Sequence, residues 1–411
     1  MSQIGESFAS PAPTDGVGDL GDDVYEARIL VVDDSPSTNA LIRTVLRKAG
    51  YANLIAAVDG AEGWAAACAS HPDLVITDLA MPNMDGFELC QRLQSDAATA
   101  GIPILVQTGL DSPQDRAAVL TIGAAAVITK PINIQELLTL VRVHVERAKL
   151  IERLSEYKRQ LAYELDKARA MQEWLLPAAA DLQQLETQLP VQVSSYFRTS
   201  AGIGGDLWGI DALGDSRLRI FCADFAGHGL TAALNTFRLH AFISGRSSRS
   251  TDPAAWLMQL NGFLCDVLPV GHFATMFCAL IDFPAGILQY ASAASPPNLV
   301  RSAGTQRGFL PIEGKGFPLG VTRDAVYRNN VVPFGPGSTL FVYSDALVET
   351  PDPVNAVFTT RRLREFLDAR QDETNAATIQ SAVIKEFYDT CAAKPGDDLT
   401  IVVLNHMARE S

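Results

Sequence analysis

The chain has 411 residues and carries 33 Lys and Arg against 47 Asp and Glu, a formal net charge of −14. This length exceeds what one ordinary hydrophobic core fills, so we expect two domains plus connecting segments. The acidic balance argues against nucleic acid as a partner, because binding a phosphate backbone needs clustered Lys and Arg. The six cysteines are scattered without a CxxC pair, which is typical of reduced thiols in a cytoplasmic protein.

Residues 1–26 combine Gly, Ser, Pro and Asp without hydrophobic periodicity, which predicts a disordered leader. The leader lacks the basic start and the apolar stretch of a signal peptide. No later apolar run reaches the roughly 18 residues that a membrane helix needs. We therefore expect a soluble cytoplasmic protein with no membrane partner.

Apolar runs followed by helical patterns fill the segment 27–134. The runs are Ile29–Val32, Leu74–Thr77, Ile104–Gln107 and Ala126–Thr129. Such an alternation predicts an α/β domain, a doubly wound parallel sheet with helices on both faces. Sites in these folds form where the carboxyl ends of the strands meet. The polar residues that follow the runs are Asp33, Asp34, Asp78, Thr108 and Lys130.

A site made of these residues suits phosphoryl chemistry. Three converging carboxylates repel one another and need a divalent cation, and their hard oxygens favour Mg²⁺. Lys130 offers a positive charge to a phosphoryl oxygen, and the Thr108 hydroxyl can donate to another. The alternative is that each acid is solvated or caps a helix, which explains any one residue but not their shared position at strand ends.

The segment 27–147 resembles the receiver domain of two-component response regulators. The resemblance rests on the acidic pair, on the motif DLAMPNMDG around Asp78, on Thr108 and on Lys130 followed by Pro131. It implies a flavodoxin-like receiver fold and phosphorylation of Asp78 by a sensor histidine kinase. The residues that it implies as holders of one Mg²⁺ are Asp33, Asp34, Asp78 and Ala80.

Val127 departs from the receiver pattern, because the position three residues before the lysine is usually aromatic in this family. The usual coupling, in which that ring swings inward with the hydroxyl, cannot operate here in its ordinary form. The sequence therefore leaves open how phosphorylation is transmitted.

A long helical pattern covers Gln135 to Trp174 within a predicted linker of residues 135–177. Its apolar residues follow the four-three spacing of a coiled coil, with Arg147 and Glu164 interrupting the seam. We expect a homodimer through this seam, and the alternative is an amphipathic helix packed on its own domains. The seam residues are Leu140, Val143, Leu150, Leu154, Tyr157, Leu161, Ala168, Met171 and Leu175.

Residues 178–411 predict an α+β domain with layered, mainly antiparallel sheets, because several strand connections are too short for a helical crossover. The strand candidates are Val191–Phe197, Arg217–Ala223, Thr275–Asp282, Leu340–Tyr343 and Leu399–Leu404. The helix candidates are Ala232–Ser244, Pro253–Val267, Arg362–Ala369 and Ala376–Ala392.

Four aspartates adjoin apolar strands in this domain. Asp206 ends GIGGD, Asp224 ends LRIFCAD, Asp345 ends TLFVYSD and Asp397 lies just before LTIVVL. Each alone is ordinarily a cap or turn residue, but four together favour a shared cation site. Carboxylates without cysteine ligands favour Mg²⁺ or Mn²⁺ over Zn²⁺. Two such cations about 4 Å apart activate water for phosphate-ester hydrolysis.

Seven ordered stretches between MQEWLLP and DDLTIVV make residues 174–407 similar to the PPM family of metal-dependent serine/threonine phosphatases, in the bacterial branch typified by the sporulation phosphatase. The resemblance implies two Mn²⁺ or Mg²⁺ ions bridged by Asp224 with help from the Phe225 carbonyl. Asp345 and Asp397 would complete the metal shells, and Asp206 would anchor one ion directly or through water.

His228 allows two interpretations, and two other places in this domain depart from the family pattern. His228 is a candidate acid for the leaving oxygen or a turn residue between two glycines. Ala346 replaces a glycine that is usual in the family, and SAASPP at 292–297 lacks the usual glycine-histidine pair. Neither departure removes a carboxylate.

The two resemblances together imply a response regulator that controls a protein phosphatase acting on a phosphorylated anti-sigma-factor antagonist. Activation and inhibition by Asp78 phosphorylation are both compatible with this pairing. The alternative is a non-catalytic adaptor or sequestering protein whose phosphatase-like domain binds a sigma factor or an anti-sigma antagonist. Such adaptors have typically lost the metal aspartates, whereas this chain retains all four.

Overall fold

The computed structural model describes residues 23–109, 117, 119–200, 202–227, 229–245, 250–304, 308–351, 358–391 and 395–408. The chain divides into two compact units, Met1–Gln160 and Leu161–Ser411. Most of the predicted leader, residues 1–22, lies outside the described residues. Val24, near the end of that leader, is buried in the core of unit 1.

Unit 1 contains a parallel sheet with the strand order β2-β1-β3-β4-β5. The strands are β1 (Ile29–Val32), β2 (Leu54–Ala57), β3 (Leu74–Asp78), β4 (Ile104–Thr108) and β5 (Ala126–Thr129). The helices are α1 (Pro36–Lys48), α2 (Gly60–Ser70), α3 (Gly86–Ser95) and the start of α4 (Ile134–Glu173). Apolar cores cover both faces of the sheet. The predicted doubly wound α/β fold is confirmed.

Side-chain caps fix where the helices of unit 1 begin. The Asp59 carboxylate accepts from the backbone N–H of Glu62 at 2.8 Å, and Asp85 accepts from Glu88 at 2.8 Å. Ser35 caps α1, whose first residue is Pro36. Each cap satisfies a backbone donor that the helix leaves unpaired. The loops at the carboxyl end of the sheet are therefore anchored at both ends.

The long helix α4 has 40 residues and differs from its prediction by one residue at each end. Its length corresponds to about 60 Å at about 1.5 Å per residue. Leu137, Val141 and Val145 are at most 1% exposed and pack into the core of unit 1. Beyond them the predicted seam is open, with Leu154 54% and Tyr157 65% exposed.

Unit 2 contains two antiparallel sheets, with strand orders β13-β10-β9-β8-β7 and β12-β11-β14-β15-β6. The first comprises β7 (Asp206–Ala212), β8 (Arg217–Phe225), β9 (Ala274–Asp282), β10 (Ile287–Ala293) and β13 (Asn330–Pro333). The second comprises β6 (Val191–Arg198), β11 (Asn298–Arg301), β12 (Leu310–Ile312), β14 (Thr339–Tyr343) and β15 (Leu399–His406). The helices are α5 (Ala179–Gln188), α6 (Leu230–Ser244), α7 (Pro253–Val267), α8 (Ala346–Glu349), α9 (Thr360–Asp368) and α10 (Ala376–Thr390).

The sheets of unit 2 form the two inner layers of an α-β-β-α arrangement. One apolar core lies between the two sheets, where Trp208 and Phe277 face Val342 and Val402. A second core joins the first sheet to α6 and α7, and a third joins the second sheet to α9 and α10. The predicted α+β domain with layered antiparallel sheets is confirmed.

Among the residues that the structure describes, no helix has both the length and the apolar character needed to cross a bilayer. The six cysteines are free thiols.

Candidate functional site

An acidic cluster lies at the carboxyl end of the sheet in unit 1. Oxygens of Asp33, Asp34 and Asp78 all lie within 4.8 Å of one another. The Lys130 Nζ lies 2.7 Å from Asp78 Oδ2 and 3.9 Å from Asp33 Oδ2. Asp33 and Asp78 are buried, and Asp34 is exposed to solvent. The structure thus brings the adjacent pair Asp33 and Asp34 together with Asp78 and Lys130, which lie far from that pair in the sequence.

Hydrogen bonds orient the two buried carboxylates. Asp33 Oδ1 accepts from the Ser35 N–H at 2.9 Å, and Asp78 Oδ1 accepts from the Leu79 N–H at 2.8 Å. Asp33 Oδ2 is buried and accepts no hydrogen bond from the residues that the structure describes. Burial raises the pKa of Asp33 despite the opposing effects of the Ser35 N–H and of Lys130. A buried acceptor without a partner among carboxylates fits a hard cation.

Three further predicted residues surround this cluster. Thr108 is the last residue of β4 and is 2% exposed. Ala80 lies in the loop two residues after Asp78. Val127, in the middle of β5, packs against the core on the α2 and α3 side of the sheet. The place of the usual aromatic ring is therefore taken by a short aliphatic side chain.

The second acidic cluster lies at one edge of the two sheets in unit 2. Asp206 begins β7 and is paired in register with Asp224 near the end of β8. Asp345 follows β14, and Asp397 lies two residues before β15. The first two carboxylates thus come from one sheet and the other two from the second sheet.

The carboxylates of this second cluster act on one another electrostatically. Burial, together with Asp345 and Asp397, raises the pKa of Asp224 to about 8. Burial and Glu349 raise the pKa of Asp345 to about 6. Asp206 is 1% exposed, and burial and Asp224 hold its pKa well above the usual value. Raised pKa values of this kind indicate negative charge that lacks a positive partner.

The carboxylates of unit 2 are more widely spaced than those of unit 1. Among the described residues, only the three aspartates of unit 1 form a group whose ligand atoms all lie within 4.8 Å. The structure therefore brings Asp206, Asp224, Asp345 and Asp397 to one edge without gathering any three of them around a single point.

Asp398 follows Asp397 in the sequence and also belongs to this site, a role that the sequence pattern did not predict. It is 2% exposed, and its carboxylate accepts from the Gly205 N–H at 2.6 Å and from the Ser200 N–H at 2.8 Å. The Thr400 hydroxyl donates to Asp206 Oδ2. Asp398 thus fixes the loop that precedes Asp206, and the pair Asp397-Asp398 in the sequence was its only signal.

The two glycines before Asp206 are required by close packing. A Cβ on Gly204 would lie 1.9 Å from Asp398 Oδ2, and one on Gly205 would lie 2.8 Å from the Phe225 carbonyl oxygen. Phe225 ends β8, and its N–H donates to the Gly205 carbonyl at 3.2 Å. The Phe225 carbonyl, a predicted ligand, therefore lies against this loop.

Gln172 in the last turn of α4 also holds this loop, and the sequence reasoning missed it. Its side chain is buried, donates from Nε2 to the Gly204 carbonyl at 2.7 Å and accepts at Oε1 from the Gly204 N–H at 2.9 Å. His228, the predicted acid, lies outside the described residues. Nothing in the structure bears on its role.

Comparison with known proteins covers both units. Residues 29–142 match the response regulator receiver domain, and residues 214–407 match stage II sporulation protein E (SpoIIE). Protein PilH of Pseudomonas aeruginosa is 36% identical over 115 residues, which is 28% of this chain and 94% of PilH. The chain belongs to the response regulators. Its second unit matches SpoIIE and has the fold of a PP2C domain.

Two further comparisons limit what transfers to this response regulator. The DNA-binding dual master transcriptional regulator RpaA of Synechocystis is 40% identical over 130 residues, 32% of this chain and 54% of RpaA. The chain thus spans about half the length of that relative. The SiaA-PP2C domain of Pseudomonas aeruginosa superposes with a TM-score of 0.53 at 23% identity, over 61% of this chain and 98% of that domain. This likeness shows a shared fold.

Proposed function

We propose that this response regulator accepts a phosphoryl group on Asp78 and thereby controls a metal-dependent protein serine/threonine phosphatase in its second unit. The proposed phosphodonor is a sensor histidine kinase, and the proposed substrate is a phosphorylated anti-sigma-factor antagonist. The observation that carries the proposal is the convergence of Asp206, Asp224, Asp345 and Asp397 at one edge of the two sheets, with raised pKa values.

The donor set of the second unit fits divalent cations. Carboxylates with few other ligands select Mg²⁺ or Mn²⁺, and cations would offset the burial and the carboxylate repulsion that raise the pKa of Asp224. The wide spacing of the carboxylates suits two ions better than one. The groups that would hold these ions are the carboxylates of Asp206, Asp224, Asp345 and Asp397 and the Phe225 carbonyl. When bound, such ions supply an activated water and charge stabilisation for phosphate-ester hydrolysis.

The protein groups around the carboxylates keep them in place for this chemistry. Asp398 and Gln172 hold the loop before Asp206 from two sides. Hydrolysis forms a bond from a water oxygen to phosphorus, breaks the bond to the seryl or threonyl oxygen and returns a proton to that oxygen. His228 stays our candidate for this proton.

In the receiver domain, Asp33, Asp34, Asp78 and the Ala80 carbonyl are proposed to hold one Mg²⁺. Lys130, 2.7 Å from Asp78 Oδ2, is positioned to bind a phosphoryl oxygen on Asp78, and Thr108 to donate to another. The phosphoryl group would move from a histidine nitrogen of the kinase to a carboxylate oxygen of Asp78.

We also propose a homodimer through α4. The apolar side chains along the middle of this helix are exposed, with Leu150 51%, Leu154 54% and Leu161 44% exposed. Within the part of the chain that the structure describes, these side chains stay largely exposed, and a second copy in a coiled coil would bury them.

Release of phosphate from a phosphoserine protein in the presence of Mn²⁺ tests the function. The wild-type chain should be active, and Asp224→Ala and Asp345→Ala should each lose at least about a hundredfold in kcat. Asp324→Ala, an exposed aspartate away from the cluster, is the control. A wild-type chain that is inactive with Mn²⁺, with and without beryllium fluoride on Asp78, would favour the non-catalytic adaptor.

A further inference from the structure

A small cavity of about 200 Å³ beside the second acidic cluster combines positive and negative groups. Arg169 of α4 and Arg198 at the end of β6 both line it, and Asp397 lies at its edge. Thr199 and Ser200 line it as well. Two guanidinium groups in one cavity of a chain with a net charge of −14 call for an explanation.

The arginines have donors to offer a ligand. Arg169 donates a hydrogen bond from Nε to Glu173 Oε1 at 3.0 Å. Its two terminal nitrogens can therefore donate to a ligand. Arg198 donates from Nη1 to the Tyr388 hydroxyl at 3.2 Å, and its guanidinium lies 5.6 Å from the centre of that ring. The aromatic contact restricts the guanidinium, which reduces the entropy lost when it binds an anion.

Thr199 is a third polar residue that lines this cavity. Its Oγ1 is buried and has no hydrogen-bond partner among the residues that the structure describes. The donors that the cavity offers to a ligand are therefore those of the two arginines, and guanidinium groups bind phosphate and carboxylate oxygens through charge-assisted hydrogen bonds.

We infer that this cavity binds an oxyanion of the phosphoprotein substrate, an inference that rests on the proposed function. The oxyanion is either the phosphoryl group or a carboxylate next to the phosphorylated residue. An anionic substrate that approaches four carboxylates is repelled, and the two guanidinium groups offset part of that repulsion. Bound cations would neutralise Asp397 on the other side of the cavity.

The cavity also links substrate binding to α4. Arg169 lies one turn before Gln172, whose side chain holds the Gly204 backbone at 2.7 and 2.9 Å. One helix therefore supplies a substrate contact and a support for the metal-site loop. A change in the position of its last two turns changes both substrate affinity and the geometry of the carboxylates.

Steady-state kinetics with Mn²⁺ test the inference in the full chain. The variants are Arg169→Gln, Arg198→Gln and the double variant, with an aryl phosphate and two phosphoserine peptides that carry Glu or Gln beside the phosphoserine. Each single variant should raise KM about tenfold and leave kcat within about twofold, since a charge-assisted hydrogen bond is lost from substrate and transition state alike. Arg169→Lys should raise KM by less than Arg169→Gln does.

The substrates separate the two sources of the oxyanion. A higher KM for all three assigns the cavity to the phosphoryl group, and a higher KM for the Glu peptide alone assigns it to the carboxylate. The control is Arg159→Gln on the same helix, because Arg159 also pairs with a glutamate of its own helix and is 80% exposed. Unchanged KM for every substrate, or an equal effect of Arg159→Gln, overturns the inference.

Binding without turnover separates this inference from the proposed function. The fluorescence anisotropy of the labelled Glu phosphopeptide with Mn²⁺ measures Kd for the wild type and the double variant. An inactive wild type that binds the peptide at least tenfold more tightly than the double variant supports the cavity and overturns the catalytic function. An equal Kd for both proteins overturns the inference whether or not the wild type is active.

Discussion

At the scale of single residues, the fold keeps the carboxylates of the second acidic cluster close together although they repel one another. Asp224 lies among other aspartates, and burial together with Asp345, Asp397 and Asp398 raises its pKa to about 8, although a hydrogen bond with Asp206 lowers it. A carboxyl whose pKa is higher in the folded than in the unfolded chain favours folding while it is protonated. That contribution is lost as the pH rises from about 4 towards 8.

The first prediction follows from this sign. In chelator, the free energy of unfolding of the second unit should fall as the pH rises from about 4 to about 8. Asp224→Asn should flatten this slope and raise the metal-free free energy of unfolding at pH 7.5 by about 1 to 3 kcal/mol, because it removes the ionisable group. Thermal unfolding in EDTA at a series of pH values measures the slope and the free energy of unfolding at pH 7.5. Asp324→Asn is the control. A loss of metal-free stability in Asp224→Asn would contradict the account.

Gly204 carries the second residue-scale prediction. A methyl group there would lie 1.9 Å from the Asp398 carboxylate, so Gly204→Ala must displace either that carboxylate or the loop. We expect a loss of about 1 to 3 kcal/mol in stability, together with lower phosphatase activity. Gly262→Ala is the matched control, because nothing lies within 4 Å of its Cβ position in α7. That substitution should raise stability by about 0.5 to 1 kcal/mol.

At the scale of elements, α4 has three different environments along its length. Its first turns are buried in unit 1 through Leu137, Val141 and Val145, and its middle is exposed around Leu154. Its last turn is anchored in unit 2 by Gln172. An amphipathic helix that changes partner along its length is suited to carry a signal, because the position of one end constrains the other.

The third prediction tests that anchor. Gln172→Ala removes two hydrogen bonds to the Gly204 backbone and leaves a buried N–H and C=O without partners. We expect kcat to fall about tenfold or more, with the larger change in kcat than in KM, because the metal-site loop loses its support. Gln160→Ala, an exposed glutamine on the same helix, should have no effect. Equal kinetics for the two variants would show that the anchor has no role in catalysis.

The elements that the sequence predicts well have a clear local pattern. The bounds of α7 agree with the prediction Pro253–Val267, and the structure shows that Asp252 caps this helix, which begins with proline. β5 was predicted as Ala126–Thr129 from its continuous apolar run. β13, with mostly exposed residues, and β12, with three residues, were missed, since neither has the apolar pattern of a buried strand.

The candidate sites divide in the same way. Asp33, Asp78 and Lys130 were placed together by one rule on strand ends, because the parallel sheet fixes where those ends meet. Gln172 and Asp398 escaped that reasoning, since their contacts are with the backbone of a loop 32 and 193 residues away. Contacts of a side chain with a distant backbone leave no pattern in the sequence of either partner.

At the scale of the whole molecule, one chain joins a receiver domain to a SpoIIE domain through α4. The fourth prediction concerns the state of association. Leu154→Glu places a charge in the middle of the exposed apolar stripe, so it should convert a dimer into a monomer in light scattering at micromolar concentration. Ser155→Glu, on the neighbouring exposed position, should not. A wild type that is monomeric both with and without beryllium fluoride would contradict the dimer.

The fifth prediction joins the two domains. Beryllium fluoride with Mg²⁺ should change the Mn²⁺-dependent phosphatase rate of the wild type by about tenfold, which corresponds to about 1.4 kcal/mol of coupling between the sites. Asp78→Asn should abolish the response and keep the basal rate, because it removes the phosphoacceptor 2.7 Å from Lys130 and leaves the second unit intact. Gln172→Ala should also weaken the response, since the end of α4 would no longer hold the Gly204 loop. A response that persists in Asp78→Asn would place the input outside the receiver site.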